Sequence, residues 1–205
     1  MVAYWLGRLY IIALVPACLV LSNFVGPKIV SVFGFPITAG TPLFAALPLA
    51  TDLIVEKYGK KDARIAVLTA FLAMGLFVLV SRPITQMPWL PFAQTSGEAV
   101  DILFSSSVRL MLASPIAYVI WQYADIWIYG KVKEITGDSN LWIRNNISTV
   151  IAQAGSTFTF FGLAFVGTGT PWVEISFVTI CFYWVIAAID TVFVYAAKRI
   201  EPRDS

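Results

Sequence analysis

The sequence contains no histidine and only two cysteines, Cys18 and Cys181, both of which lie inside apolar runs. Without histidine, imidazole metal sites and Ser-His catalytic pairs are excluded. The two cysteines favour neither a structural disulfide nor a thiolate metal site. The sequence also lacks the P-loop, HExxH, CxxC and GxGxxG motifs. We therefore expect no enzyme activity, no metal site and no other cofactor.

Charged residues are scarce as well. They make up 13 % of the 205 residues, with a net charge of +2, whereas soluble domains contain about 25 %. Hydrophobic residues make up 59 %, and the mean hydropathy is +0.79. This composition is typical of an integral membrane protein in a lipid bilayer. The small positive excess does not favour nucleic acid as a partner.

Six apolar segments are long enough to cross a bilayer, whose hydrocarbon core of about 30 Å requires roughly 20 helical residues. Backbone polar groups find no water in lipid, so the segments must be helices. We predict an all-α, polytopic membrane protein with one domain, residues 1–205, in which the first segment is a span and not a signal peptide. The predicted spans are residues 9–25, 36–55, 65–80, 110–129, 147–166 and 173–197.

The basic residues predict the orientation of these spans. Eleven of the fourteen lysines and arginines fall on one side of the membrane, which places both termini in the cytoplasm and the protein in the cell membrane. The long connection, residues 82–109, then lies outside. Pro83, Pro88 and Pro91 predict that its first half is irregular. Thr95-Ser96-Gly97-Glu98 resembles a capping box that opens a helix, either an external lid or a plain interfacial helix.

A single aspartate, Asp52, Asp125 or Asp190, lies near the cytoplasmic end of each even-numbered span. This recurrence suggests three copies of a two-helix hairpin, although short apolar motifs also recur by chance. A carboxylate at the centre of a membrane helix costs at least about 2.5–3.5 kcal/mol and usually faces the bundle interior. Such acids either anchor helix ends or bind a ligand. We favour binding for Asp125, which shares a face with Gln122, and anchoring for Glu56, which precedes Lys60 by one turn.

The fifth span is the most polar, because Asn145, Thr149, Gln153 and Ser156 follow one helical face. Small polar residues often serve helix packing, but the Gln153 amide needs partners from another helix or from a ligand. Asn23 in the first span raises the same question, or simply caps a helix end. Together these groups suit a small, planar, polar ligand with adjacent N–H donors and a carbonyl, such as a purine edge. Aromatic residues, 15 % of the chain, offer stacking faces.

At this level of detail the sequence resembles the queuosine precursor transporter family, also called the vitamin uptake transporter family. The most specific stretch is similar to the family's Trp-Leu-Arg-Asn-Asn-x-Ser-Thr signature with a downstream glutamine. The stretches that carry the resemblance are Leu141-Trp142-Ile143-Arg144-Asn145-Asn146-Ile147-Ser148-Thr149 with Gln153, residues 51–64, Ser22-Asn23 with Lys28, Gln122 with Asp125, and Asp190-Thr191.

The resemblance implies import of a small deazapurine, 7-cyano-7-deazaguanine or a related 7-deazaguanine, for tRNA modification. Ser156 stands where the family pattern has an acidic residue, which bears on the exact substrate. Within the predicted site, Gln122, Asp125, Asn146 and Gln153 form the polar core. The full predicted set of substrate-binding residues is Asn23, Asp52, Gln122, Asp125, Arg144, Asn145, Asn146, Gln153, Ser156 and Asp190.

Two other functions are compatible with the sequence. A substrate-binding component of an energy-coupling-factor vitamin importer is also a small six-helix protein, and it docks on its partner through small residues such as Ala13 and Ala17. A scaffold protein that transports nothing would need no buried carboxylates. The sequence does not determine the energy source of transport. It is compatible with a homo-oligomer and with a complex that includes an energy-coupling partner.

The predicted topology can be tested by cysteine labelling in a variant without the two native cysteines. A cysteine at Ser96 or Gly169 should react with an impermeant maleimide added to intact cells, because both positions lie opposite the basic side. A cysteine at Lys60, Ser139 or Ser205 should react only after the membrane is opened. Labelling of Ser205 from outside would contradict the even number of spans.

Overall fold

Helices dominate the structure, a computed structural model that describes residues 2–26, 28–32, 35–104, 108–137, 141–169 and 171–197. A 3-10 turn, Pro91–Ala93, precedes the fifth helix. The helices are α1 (Val2–Leu6), α2 (Arg8–Val25), α3 (Thr41–Lys57), α4 (Lys60–Gln86), α5 (Gln94–Phe104), α6 (Val108–Thr136), α7 (Leu141–Phe165) and α8 (Trp172–Ala197).

Each of the six predicted apolar segments overlaps one helix, in the order α2, α3, α4, α6, α7 and α8. Four of these, α2, α4, α7 and α8, are long and apolar enough to cross a membrane. Helix α3 has 17 residues, and α6 has 29. The chain is thus a helical protein that passes through the membrane several times, as its composition indicates.

The expectation of an all-α chain misses one short sheet. Residues Ile29–Val32 and Phe35–Thr38 form two antiparallel strands, β1 and β2, in which Val30 lies opposite Ile37. The second predicted span therefore begins too early, because its first residues belong to β2. The stretch is rich in β-branched residues, which favour strands, and apolar composition alone does not separate a short strand from the start of a helix.

Helix α3 begins where the chain passes close to α2. Gly40 precedes its first residue, and an added Cβ at Gly40 would lie only 2.2 Å from the backbone oxygen of Ser22. The absence of a side chain therefore permits this close approach of two backbones. The contact fixes the start of α3 against the C-terminal half of α2.

The connection after α4 differs from the prediction in two respects. Helix α4 continues through Pro83 to Gln86, so the irregular segment is shorter than expected; proline is tolerated in membrane helices, where neighbouring groups satisfy the freed backbone. The helix predicted near Ser96 exists as α5, but it begins at Gln94. Its Glu98 accepts a hydrogen bond from the Gln94 side chain at 2.8 Å, so the capping box is not formed.

Small residues mediate the packing of α4 on α2. Ala63, Ala66 and Ala70 are buried on the inner face of α4, whereas Leu72 and Leu79 are exposed. Close packing of small residues, with large apolar residues facing lipid, is the usual arrangement in membrane helices. On the other side of the molecule α6 packs on α7 and α7 on α8, while α3 contacts α4, α6 and α8. The central position of α3 brings its polar residues against those of α6 and α7.

The Gly40 contact makes a prediction about stability. Gly40→Ala should destabilise the protein by about 1–3 kcal/mol, because the new methyl group meets rigid backbone that cannot yield without a shift of α2 or α3. Thermal unfolding of the purified protein in detergent measures the loss. The matched control is Gly75→Ala within α4, where an added Cβ meets nothing within 4 Å. That variant should be at least as stable as the unmodified protein, since alanine is the better helix former; equal melting temperatures for the two variants would contradict the backbone contact.

Candidate functional site

Polar side chains from three helices meet in the interior of the bundle. They lie on α3, α6 and α7, and on α6 and α7 their spacings keep them on one face of the helix, so polar stripes from neighbouring helices meet. All of them are buried. The residues are Thr51 and Asp52 on α3, Gln122 and Asp125 on α6, and Asn145, Ser148, Thr149 and Gln153 on α7.

Hydrogen bonds connect these stripes. The Gln122 amide nitrogen donates to Thr51 Oγ1 at 2.6 Å and to Asp125 Oδ2 at 3.3 Å. The Thr149 hydroxyl donates to Asp52 Oδ2 at 3.4 Å. Asp52 also lies within electrostatic range of Asp125 and Asp190. The structure therefore brings together the three aspartates that the sequence places on separate helices.

Several buried oxygens in this region have no hydrogen-bond partner among the described residues. They are Oδ1 of Asp52, Asp125 and Asn145, Oε1 of Gln153, and the Tyr118 hydroxyl. An unsatisfied buried polar group costs about 1–3 kcal/mol. Amide and ionised carboxylate oxygens only accept hydrogen bonds, so four of these five atoms call for a ligand that supplies N–H or O–H donors.

A small cavity lies beside these atoms. Its volume is about 10 Å³, which is room for about one water molecule. Aromatic and amide side chains form most of its wall, so a planar ligand would meet both stacking faces and polar groups there. The lining residues are Phe44, Pro48, Tyr118, Trp121, Gln122, Ala152, Gln153 and Ser156.

The Trp121 ring is held firmly in this wall. A Cβ added at Gly155 would lie 2.3 Å from the ring, so the indole rests directly on the α7 backbone. The indole N–H donates to Thr159 Oγ1 at 2.8 Å. Trp121 belongs to α6, and both contacts come from α7. The neighbouring helix therefore fixes the orientation of the ring, which presents a rigid aromatic face to the cavity.

An ion-pair network closes the end of the bundle that we predict to be cytoplasmic. The fully buried Arg144 donates to Glu56 Oε1 at 2.6 Å, to the Gly137 carbonyl at 2.8 Å and to the Tyr129 hydroxyl at 3.2 Å. The second carboxylate oxygen of Glu56 accepts from Lys133 and from Tyr129, both at 3.1 Å. The network joins the ends of α3 and α6 to the start of α7.

These contacts correct the expected environment of Glu56. The carboxylate anchors helix ends, but through Arg144 and Lys133 and not through Lys60, one turn along. Lys60 instead reaches Glu134 of α6 at 3.2 Å. Hydrogen bonds from Lys131 and Lys60 hold the pKa of the exposed Glu134 carboxyl below its usual range.

The structure divides the predicted site residues into two groups. Gln122, Gln153 and Ser156 line the cavity. Asp52 and Asp125 are buried about one helical turn from lining residues of α3 and α6, with Asp190 in electrostatic range of Asp52, and Asn145 is buried about two turns from Gln153 on α7. The others have their hydrogen bonds elsewhere. Asn146 donates to Trp142 O at 2.8 Å and to Thr191 Oγ1 of α8 at 2.7 Å. Asn23 donates to the Leu19 carbonyl of its own helix at 2.9 Å, and Arg144 belongs to the ion-pair network.

The sequence analysis did not single out Phe44, Tyr118 or Trp121 at the cavity. Periodicity offered a signal for two of them. Tyr118 precedes Gln122 by one helical turn, and Trp121 precedes Asp125 by the same interval, so both side chains lie near the polar stripe of α6. Phe44 on α3 carries no such signal, because its position at the cavity depends on tertiary packing.

Comparison with known proteins adds relatives from three bacteria. The chain is 29 % identical to a Bacillus subtilis protein named "Probable queuosine precursor transporter", over 97 % of this chain and 87 % of the relative. It is 27 % identical to the Escherichia coli "Queuosine precursor transporter", over 91 % of this chain and 81 % of the relative. A Haemophilus influenzae protein, also named "Probable queuosine precursor transporter", is 28 % identical over 77 % of this chain and 66 % of the relative. No solved structure matches the chain.

A family model also matches most of the chain. Its description is "Putative vitamin uptake transporter", and it covers residues 38–197. That range contains α3 to α8 and hence the cavity, the aspartates and the ion-pair network. On this match, and on the resemblance already visible in its motifs, the chain belongs to the vitamin uptake transporter family, and it is a membrane transporter.

Proposed function

We propose that this protein imports a 7-deazaguanine, such as 7-cyano-7-deazaguanine, across the cell membrane as a precursor for the modified tRNA base queuosine. The names of the relatives support this substrate class. The observation that carries the proposal is the excess of unpaired buried acceptors beside an aromatic wall. A deazaguanine is planar and rich in N–H donors, so it complements both features.

The hydrogen-bonding pattern of the base fits the site. Its ring N–H and adjacent amino group are two donors side by side, which a carboxylate such as Asp125 accepts together. Its pyrrole N–H is a further donor for an amide oxygen, such as that of Gln153. The amide nitrogen of Gln153 is the donor that we assign to the carbonyl of the base, since both N–H groups of Gln122 already bond Thr51 and Asp125. Charge-assisted contacts of this kind are about twice as strong as neutral ones.

Substrate entry requires movement. A cavity of about 10 Å³ holds one water, so a bicyclic base fits only when the walls contributed by α3, α6 and α7 separate. The ion pairs of Arg144 and Lys133 with Glu56 close the path on one side. We infer that the described arrangement is an occluded state, and that breaking this network opens the site to the cytoplasm.

The same proposal includes six spans with both termini inside. Helix α3, with 17 residues, reaches the lower limit for crossing a bilayer, and α6 exceeds it. Lysines at the α3–α4 junction and near the end of α6 mark the cytoplasmic side. The β1–β2 hairpin and α5 then belong to the outer surface, and the polar site lies in the cytoplasmic half of the membrane.

A complementation experiment tests the transport function. A bacterial strain that lacks both synthesis and uptake of deazaguanines should regain queuosine in its tRNA when it expresses this protein and receives 7-cyano-7-deazaguanine. Asp125→Asn should lower substrate affinity about 30- to 4,000-fold, because the loss of one partner of a buried charged hydrogen bond costs about 2–5 kcal/mol.

The control for that variant is Asn146→Ala on α7, whose side chain points to α8 and should matter little for uptake. Membrane fractions must contain equal amounts of all variants. An unmodified protein that inserts correctly but restores no queuosine would overturn the proposed substrate. If Asp125→Asn restored queuosine fully and Asn146→Ala did not, the binding site would lie on the side of α7 that faces α8.

The aromatic wall gives a second, independent prediction. Trp121→Leu should weaken substrate binding about 5- to 150-fold, because stacking of a base on an aromatic ring contributes about 1–3 kcal/mol. Trp121→Phe should recover part of the loss. Ligand-induced thermal stabilisation of the purified protein measures the affinities. The matched control is Trp127→Leu on the same helix, where the side chain is 59 % exposed; an equal loss there would show a general effect of removing an indole.

A further inference from the structure

Three polar layers follow one another along the interior of α3, α6 and α7. The first contains the cavity, with Pro48, Gln122 and Gln153. The second, one helical turn further along each helix, contains Asp52, Asp125 and Thr149. The third contains Glu56, Tyr129 and Arg144. One turn of helix rises about 5.4 Å. Among the described residues, the layer with the two aspartates therefore separates the cavity from the ion-pair network.

Asp52 and Asp125 share the same unusual environment. Both side chains are fully buried. Each has a donor on Oδ2, from Thr149 and Gln122 respectively, and each has an Oδ1 without a hydrogen-bond partner among the described residues. Lack of a partner here means lack of a hydrogen bond to that oxygen in the described part of the chain, where also no lysine or arginine forms an ion pair with either aspartate.

The side chains around the two aspartates are either acidic or uncharged, apart from the cations that pair with Glu56. Asp190 of α8 lies within electrostatic range of Asp52. Glu56, one turn along α3, is balanced by Arg144 and Lys133. The phenols of Tyr118 and Tyr129 also lie close to one or other aspartate. Ser148 reaches Asp125 through its hydroxyl, which carries no charge.

Two like charges at close range without a counter-ion are costly in a low-dielectric interior. One proton shared by the pair removes half of this charge. It also creates an O–H group, which is the donor that the unpaired Oδ1 atoms lack. Buried carboxylate pairs commonly hold a single proton for this reason, and ionisable groups inside membrane helices often mark proton pathways.

We propose that the Asp52–Asp125 pair binds one proton that crosses the membrane with each substrate molecule, so that the protein is a proton-coupled importer. The proposal rests on the import function proposed above. The O–H bond forms with a proton from external water, and it breaks when the proton passes to cytoplasmic water after the third layer opens. Substrate donors hold Asp125 in its charged form, so the proton resides on Asp52 in the loaded state.

Proton coupling gives a neutral cargo a driving force. The membrane potential does no work on a neutral base alone, but it acts on the base and proton together. With one proton per substrate, an inward gradient of one pH unit should by itself sustain about tenfold accumulation. Without coupling, the internal concentration would not exceed the external one.

Proteoliposomes with a pH-sensitive dye inside test this directly. Addition of 7-cyano-7-deazaguanine should acidify the interior by about one proton per substrate, and an imposed inward gradient of one pH unit should give about tenfold accumulation that a protonophore abolishes. Exchange of labelled for unlabelled substrate measures transport without coupling. Exchange with no proton entry would overturn the proton proposal and leave the import function intact. Absence of exchange would overturn the import function, and the coupling proposal with it.

Infrared spectroscopy of the purified, substrate-free protein provides a second measurement that needs no transport. The carbonyl band of a protonated carboxylic acid should be present at neutral pH and should shift or vanish in Asp52→Asn. The control is Glu174→Gln at the exposed start of α8, which should leave the band unchanged. Absence of the band in the unmodified protein, or its persistence in Asp52→Asn and in Asp125→Asn, would overturn the shared proton.

Discussion

The buried guanidinium of Arg144 is the constraint on which the rest of the interior depends. It lies in the first turn of α7 and contacts a carboxylate on α3, a phenol on α6 and the carbonyl of Gly137. Loss of one partner from such a buried pair typically costs about 3–5 kcal/mol, because the remaining charge cannot reach water. The contacts therefore hold three helices in one register. Once that register is set, the helical repeat fixes which residues of each helix face one another in the layers further from Arg144.

That register explains how single polar residues from distant parts of the chain form one site. Asp52 and Asp125 are far apart in sequence, yet both lie one turn from the ion-pair network. The layer beyond them holds the amides and the aromatic wall. Charge thus decreases with distance from the Arg144 network, from full ion pairs through unpaired carboxylates to neutral amides. Such an order suits the proposed neutral substrate, which amides and carboxylates would bind.

The membrane class could be predicted from the sequence because it depends on local signals, and the proposed site was predicted from signals of the same kind. Apolar runs identify helices of the right length, and an aspartate within such a run is costly enough to predict a function. The failures depend on non-local packing. Residues 36–38 pair with β1, which a composition window does not detect. Arg144, a partner of Glu56, lies 88 residues away, whereas helical spacing had pointed to Lys60, one turn along the same stretch. Asn145 and Asn146 are adjacent, and a rotation of about 100° per residue decides which of them turns to α8, as Asn146 does. Only tertiary packing sets that angle.

The distribution of side-chain sizes on α4 has a consequence for the solvent of this protein. Alanines face the bundle and leucines face outward, which reverses the order found in water-soluble proteins. Lipid tails are as apolar as leucine, so no hydrophobic force holds α4 in place; its position depends on close backbone approach and on the ion pair between Arg8 and Asp62. The outward-facing side chains of α4 therefore pack against lipid. The stability of the fold then depends on the thickness and order of the surrounding bilayer.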